Sequence, residues 1–162
     1  MRLVSILEAG RRDFLDACSG STGRESQPGS WTVLEIIEHV VIVEDRYLTW
    51  LADASSEAPP RDAHNEMRLF LMIRNREQKR QAADAVWPSG RFKSLEEAVA
   101  AFNEVRDRAV AMVDESLYSS GVNHPFFGRI NGAELIQLID GHARRHAEQV
   151  QEIGEFLNKK NL

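Results

Sequence analysis

The chain has 162 residues, 43% hydrophobic and 28% charged, with a formal net charge of −5. That fits one globular domain, residues 1–162, with enough length to bury a sizeable core. The acidic balance argues against nucleic acid as a partner, because phosphate binding needs a basic face. No apolar run approaches the roughly 18–20 residues of a membrane span. Glu8 falls where a signal peptide needs an apolar centre. The single cysteine, Cys18, cannot close an internal disulfide. We therefore expect a cytoplasmic protein with no membrane partner.

Residues 2–18 read as a first helix, apolar at Val4, Leu7, Phe14 and Leu15 and polar at Arg11, Arg12, Asp13 and Asp16. Cys18 at its end is a small apolar filler rather than a nucleophile, with no adjacent cation or CxxC partner to activate it. Residues 20–30 are a loop by composition. Thr32 and Glu35 then form a capping box, with Trp31 and Ile36 placed as a hydrophobic staple, and a second helix follows over 33–52. Its first half, from Val33 to Val43, is almost wholly apolar and should be buried. His39 lies within that half and needs a hydrogen-bond or metal partner, because an unpaired buried polar group is costly.

Pro59-Pro60 breaks the chain, and residues 65–82 predict a third, more exposed helix, with His64 exposed in the loop before it. The cations Arg74, Arg76, Lys79 and Arg80 are offset by Glu66, Glu77 and Asp84. They read as a solvated face, the alternative being receipt of an anionic substrate. Residues 87–92 are a turn. Ser94 and Glu97 cap a helix expected over 95–117, and 118–129 is a loop containing His124-Pro125. Asn131 and Glu134 open the last helix, which runs over 132–158, with Ile130 and Leu135 stapling its start and Lys159 and Lys160 at its end. Trp31, Trp50 and Trp87 are expected to pack rather than to hold a cofactor. No segment is rich in alternating strand pattern, so the expected fold class is all-α. It is a four-helix bundle with one additional shorter helix between the second and third bundle helices.

The last helix carries His142 and His146 on the same stripe as Leu135, Leu138, Ile139, Val150, Ile153 and Leu157. Two imidazoles four residues apart can grip one metal ion. They can also be buried histidines bonded to neighbours. With helices 33–52 and 132–158 side by side, His39 joins them in the bundle interior. Three imidazoles leave coordination positions open, as a catalytic site requires. Nitrogen ligation suits zinc, nickel, copper or iron better than magnesium or calcium.

These residues resemble a known family. Trp31-Thr32 with Glu38-His39, then His124-Pro125 with Gly128, then His142 and His146 with Arg145 and Gln149 beside them, are similar to the DinB/YfiT-like superfamily, with residues 123–153 the most specific part. The resemblance implies a four-helix bundle with a three-histidine metal site on His39, His142 and His146. It also implies a homodimer and a small-molecule substrate, with activity as a metal-dependent hydrolase or as a transferase using a low-molecular-weight thiol. Zinc or nickel is then the first expectation for the ion, which would activate water or thiol. The alternative is a metal-binding or stress-response helical dimer without turnover. Of the carboxylates able to orient an imidazole, Glu38 and Asp140 are rotated away from the histidine stripe and Glu44 is about one and a half turns from His39. Exposure is the expectation for Glu38 and Asp140, Glu44 is an equally doubtful partner, and no general base stands out. His124 either contacts substrate or, as Pro125 favours, braces the loop before the last helix. Arg144 and Arg145 read as solvated cations, with Arg145 able to pair with a carboxylate on a neighbouring helix.

Overall fold

The computed structural model describes residues 2–55, 57–60, 62–78 and 81–161. Its helices are α1 (Arg2–Cys18), α2 (Val33–Ala52), α3 (Ala63–Arg74), α4 (Leu95–Ala111) and α5 (Gly132–Lys160). A hairpin of β1 (Gly121–His124) and β2 (Gly128–Asn131) precedes α5. Helix α1 packs on α5, α5 on α2, α2 on α4, and α4 back on α1, which closes a four-helix ring; α3 lies outside it against α5. Among the described residues, no helix is long and apolar enough to cross a membrane.

Local chemistry sets the helix starts. The Thr32 hydroxyl accepts the Glu35 N–H at 3.2 Å while Glu35 accepts the Thr32 N–H at 2.7 Å. Asn131 and Glu134 repeat this reciprocal cap at 2.8 Å both ways. Ser94 accepts the Glu97 N–H, but Glu97 reaches back to Lys93 rather than to Ser94. The core is filled by side chains such as Leu7, Phe14, Ile36, Phe102 and Leu138, all fully buried. Each contributes about 1.5–3 kcal/mol by leaving water. The Phe14 and Phe102 rings, from α1 and α4, meet at 4.7 Å.

Three boundaries differ from the expected ones, each for a local reason. Helix α3 stops at Arg74 instead of continuing to 82. The Asn75 side chain accepts the Glu77 N–H at 2.9 Å, a turn that competes with helix. Helix α4 stops at Ala111 instead of 117. Asp114 accepts the Ser116 N–H at 2.7 Å and starts a separate 3-10 turn over Glu115–Tyr118. The loop expected over 118–129 contains the hairpin. Val122 pairs with Ile130 and His124 with Gly128, and the reversal needs Gly128 at φ +71°. The hairpin is tied to the end of α2 by paired Ser55 and Gly121 backbone bonds of 3.1 and 2.7 Å.

A buried polar chain threads the bundle. Arg106 of α4 is fully buried. It donates to Glu44 of α2 through Nε at 3.1 Å and Nη2 at 2.7 Å, and to the carbonyl oxygens of Leu7 and Ile139. Its Nη1 lies 3.9 Å from Asp140 of α5. Asp140 in turn accepts from Arg144 at 2.8 Å, and Arg144 also pairs with Asp13 of α1. The exposure expected for Asp140 and Glu38 is therefore wrong: both are buried, as is Glu44. The reason is that each helix is covered on more than its histidine side: α1 and α3 also pack on α5 around Asp140, while on α2 residues 89–91 cover Glu38 and α4 covers Glu44.

Gly10 makes room for Asp140. A Cβ at position 10 would lie 1.8 Å from Asp140 Oδ1 and 2.9 Å from its Cγ. We expect Gly10→Ala to destabilise the fold by about 1–3 kcal/mol as overpacking, despite the better helix propensity of alanine. A urea titration checks this; a stabilised variant would show that α1 and α5 can separate freely here.

Candidate metal centre

Helix α2 delivers His39 and α5 delivers His142 and His146, one turn apart. The three rings converge. His142 Nε2 lies 3.2 Å from His39 Nε2 and 3.2 Å from His146 Nε2. One ligand atom from each ring falls within 4.8 Å of the others. All three residues are only 5–6% exposed.

The outer nitrogens determine which inner ones carry protons. His39 Nδ1 donates to the Val86 carbonyl at 2.8 Å, and His146 Nδ1 donates to Gln149 Oε1 at 2.8 Å. In the neutral rings, Nε2 of both residues is then a bare lone pair, and both face His142 Nε2. A single proton on His142 cannot satisfy two such acceptors with good geometry. A cation can, and the two 3.2 Å edges match the about 3.3 Å between nitrogens bound tetrahedrally at about 2.0–2.1 Å. The residues thus fit a metal ion. Burial lowers the basicity of His39 and pushes His142 and His146 well below the ordinary range, with the neighbouring imidazoles adding to the effect on the latter two. Neutral rings are what ligation requires. His142 Nδ1, unlike its counterparts, is buried without a hydrogen-bond partner among the described residues.

One tryptophan borders His39 and a second packs on the first. The Trp31 ring lies 4.9 Å from it, and Trp87 meets Trp31 edge-on at 5.1 Å. Trp87 is 48% exposed, so the pair runs from His39 to the surface. Trp50 packs instead with Tyr47 and His124.

Glu38, adjacent to His39, does not touch an imidazole. Its carboxylate accepts from the Ser89 N–H and hydroxyl at 2.8 and 2.7 Å, and from the Gly90 and Arg91 N–H groups at 2.9 and 3.1 Å. Burial alone would raise this carboxyl, but the Ser89, Arg91 and Gly90 bonds outweigh it and hold it below the usual range.

His124 sits in the hairpin, away from the three rings. Its Nδ1 accepts the Phe126 and Phe127 N–H groups at 3.1 and 3.3 Å, so Nε2 carries the proton and donates to the Tyr47 hydroxyl at 3.0 Å. This geometry holds the turn, and burial lowers the ring to about 4. An unfolded histidine titrates near 6.5. Between about 6.5 and 4 the unfolded chain binds more protons than the folded one, so His124 makes stability fall as pH falls through that window. We expect His124→Asn to reduce the acid-induced loss seen in melts from pH 7 to pH 4.5. An unchanged pH profile would contradict the lowered basicity of the buried ring.

Arg145 is buried rather than solvated. Its guanidinium donates to the carbonyl oxygens of Ile73, Asn75 and Gln78, which holds the chain leaving α3 against α5. Nor are Arg74 and Arg76 a freely solvated face: each pairs with α5 at 2.6 Å, Arg74 with Glu148 and Arg76 with Glu152. Lys79 and Arg80, grouped with them by sequence, lie outside the described residues. His64 is exposed, within the first turn of α3. Cys18 is buried, and burial pushes its thiol up to about 12, consistent with a packing role.

Sequence reasoning missed three contributors: the Val86 carbonyl, Arg106 and the loop-binding role of Glu38. An acid inside an apolar helical half was the available signal for Glu38.

The family model described as the DinB superfamily matches residues 6–150. A curated relative, the uncharacterized protein YuaE of Bacillus subtilis (strain 168), is 24% identical over 132 residues, covering 80% of each chain. Among solved structures, that of "YfiT from Bacillus subtilis", described as "a probable metal-dependent hydrolase with an unusual four-helix bundle topology", superposes with a TM-score of 0.60 at 16% identity. The match covers 97% of this chain and 86% of that one. The family match spans most of the sequence, and the helical ring agrees with the fold of that neighbour: this chain belongs to the DinB superfamily.

Proposed function

We propose that His39, His142 and His146 hold a divalent transition-metal ion, zinc or nickel first, and that the protein is a metal-dependent enzyme acting on a small molecule. The observation that carries this reading is the pair of bare Nε2 atoms on His39 and His146, both 3.2 Å from His142 Nε2. YfiT's description as a probable metal-dependent hydrolase adds to it. An ion bound there supplies a Lewis acid that lowers the pKa of water or of a low-molecular-weight thiol, which leads to hydrolysis in one case and thiol transfer in the other. The chain's own part is to keep His39 and His146 in the tautomer with Nε2 free, through Val86 and Gln149, and to set the Trp31 ring, backed by Trp87, against His39. A homodimer in the cytoplasm belongs to the same proposal, with sedimentation as its test.

A metal-binding role without turnover is the second reading. It is favoured by the commitments of the nearby carboxylates: Glu38 holds backbone and hydroxyl donors of residues 89–91, Glu44 holds Arg106, and Asp140 holds Arg144. Each is already engaged by donors outside the imidazole cluster. To separate the two readings, the zinc- and nickel-loaded protein is assayed against labile esters and amides, with and without low-molecular-weight thiols. Turnover that is lost in a His39→Ala variant supports the enzyme. Tight metal binding with no turnover on any of these supports the second reading.

A further inference from the structure

We propose that Glu38 is a positioning residue for His39, acting through the backbone of residues 86–91. The inference rests on the metal reading above and names a part of that site which the ligands alone do not supply. His39 depends on the Val86 carbonyl to keep its proton on Nδ1 and so to present a bare Nε2. That carbonyl belongs to a 3-10 turn over Asp84–Val86, a three-residue element carried by an otherwise irregular stretch before α4. So short a turn cannot hold its own position.

Glu38 supplies the missing constraint. Its two carboxylate oxygens take four donors from three consecutive residues: the Ser89 N–H and hydroxyl on Oε1, and the Gly90 and Arg91 N–H groups on Oε2. Three successive N–H groups aimed at one anion make a charge-assisted clamp. Because Glu38 and His39 are neighbours on α2, the helix fixes both ends of the arrangement. The ring is held on one side, and the strand of chain that orients the ring is held on the other. Pro88 is buried in the span between Val86 and the clamp and stiffens it.

The test uses Glu38→Gln and Ser89→Ala in the full chain. Glutamine keeps the shape but offers one acceptor oxygen in place of two and turns an NH2 group toward the remaining donors. Two readings are taken. Long-range 1H–15N spectra of the metal-free protein give the tautomer of His39, and competition with a chromogenic chelator gives affinity for Zn2+ and Ni2+. In the wild type, His39 is expected in one tautomer with Nδ1 protonated. In Glu38→Gln both tautomers appear and affinity falls about 10–100-fold, the range typical of losing an outer partner of a ligand. Ser89→Ala, which removes a single donor, lies between the two.

A folded Glu38→Gln with a single unchanged tautomer and affinity within about twofold overturns the proposal. If Glu38→Gln does not fold, Ser89→Ala decides by the same readings: mixed tautomers support the clamp, and wild-type spectra with wild-type affinity overturn it. A carboxylate that only stabilised the loop would lower the melting temperature and leave the His39 tautomer alone. Should the wild type bind neither ion, the metal reading fails while the tautomer comparison still decides the role of Glu38.

Discussion

Arg106→Met will cost about 3–5 kcal/mol of stability at pH 8, the range for removing one partner of a buried ion pair. Arg106 is fully buried and gives two of its N–H groups to Glu44, itself fully buried. Methionine preserves most of the volume beside Phe102 and removes the charge, so the measured loss is mainly electrostatic. For a chain of this size the loss lowers the melting temperature on the order of 10 °C. Burial already pushes the Glu44 carboxyl up to about 7 even with Arg106 beside it, and in the variant it goes higher. A carboxyl with its folded pKa above its unfolded one stabilises the fold below the unfolded value and loses that contribution as pH rises. The deficit of Arg106→Met therefore shrinks toward pH 5, where a protonated Glu44 needs no counter-charge. Adding Glu44→Gln to Arg106→Met should recover part of the loss at pH 8. A loss under about 1 kcal/mol at pH 8 would show that Glu44 and Asp140 find other partners.

The second large effect is on the ion itself. His142 is the middle ring, with its Nε2 3.2 Å from both other nitrogens. His142→Ala should weaken Zn2+ and Ni2+ binding by more than the about 10–100-fold that losing an outer partner costs. Metal at about 100 times its dissociation constant stabilises the wild type by about 2.7 kcal/mol, a rise of roughly 5–10 °C in melting temperature. In His142→Ala that rise should vanish at the same concentration, while the metal-free protein stays folded. Removing His142 takes away a buried imidazole whose Nδ1 has no partner among the described residues, so metal-free stability is not expected to collapse. Equal metal-induced rises in both proteins would place binding elsewhere.

How much of this was legible depends on how local each signal is. The caps at Thr32 and Asn131 were readable because donor and acceptor sit three residues apart. The shared face of His142 and His146 was readable because a helix repeats every 3.6 residues. Bringing His39 to them needed only that α2 and α5 be adjacent. The hairpin was not readable: its strands are four residues long, and only Val122, His124 and Ile130 show inward alternation. Arg106 was hidden because its partner Glu44 is 62 residues away, and a helical arginine defaults to solvent. Glu38 and Asp140 were misjudged because helical period locates a residue relative to its own stripe, not to how many sides of the helix are covered. Every residue of α5 from Gly132 to Ala143 is buried, and period cannot show that. The ends of α3 and α4 were overrun because side-chain turns at Asn75 and Asp114 compete with the helix and leave only a weak pattern.

The account turns on imidazoles from α2 and α5 sharing one cation. Crystals of the protein, purified without chelator and grown with zinc or nickel, should give an anomalous difference peak at the metal edge. That peak is expected about 2.0–2.1 Å from Nε2 of His39, His142 and His146. A map with no peak among those three nitrogens, in crystals where the same metal scatters at other positions, would contradict it.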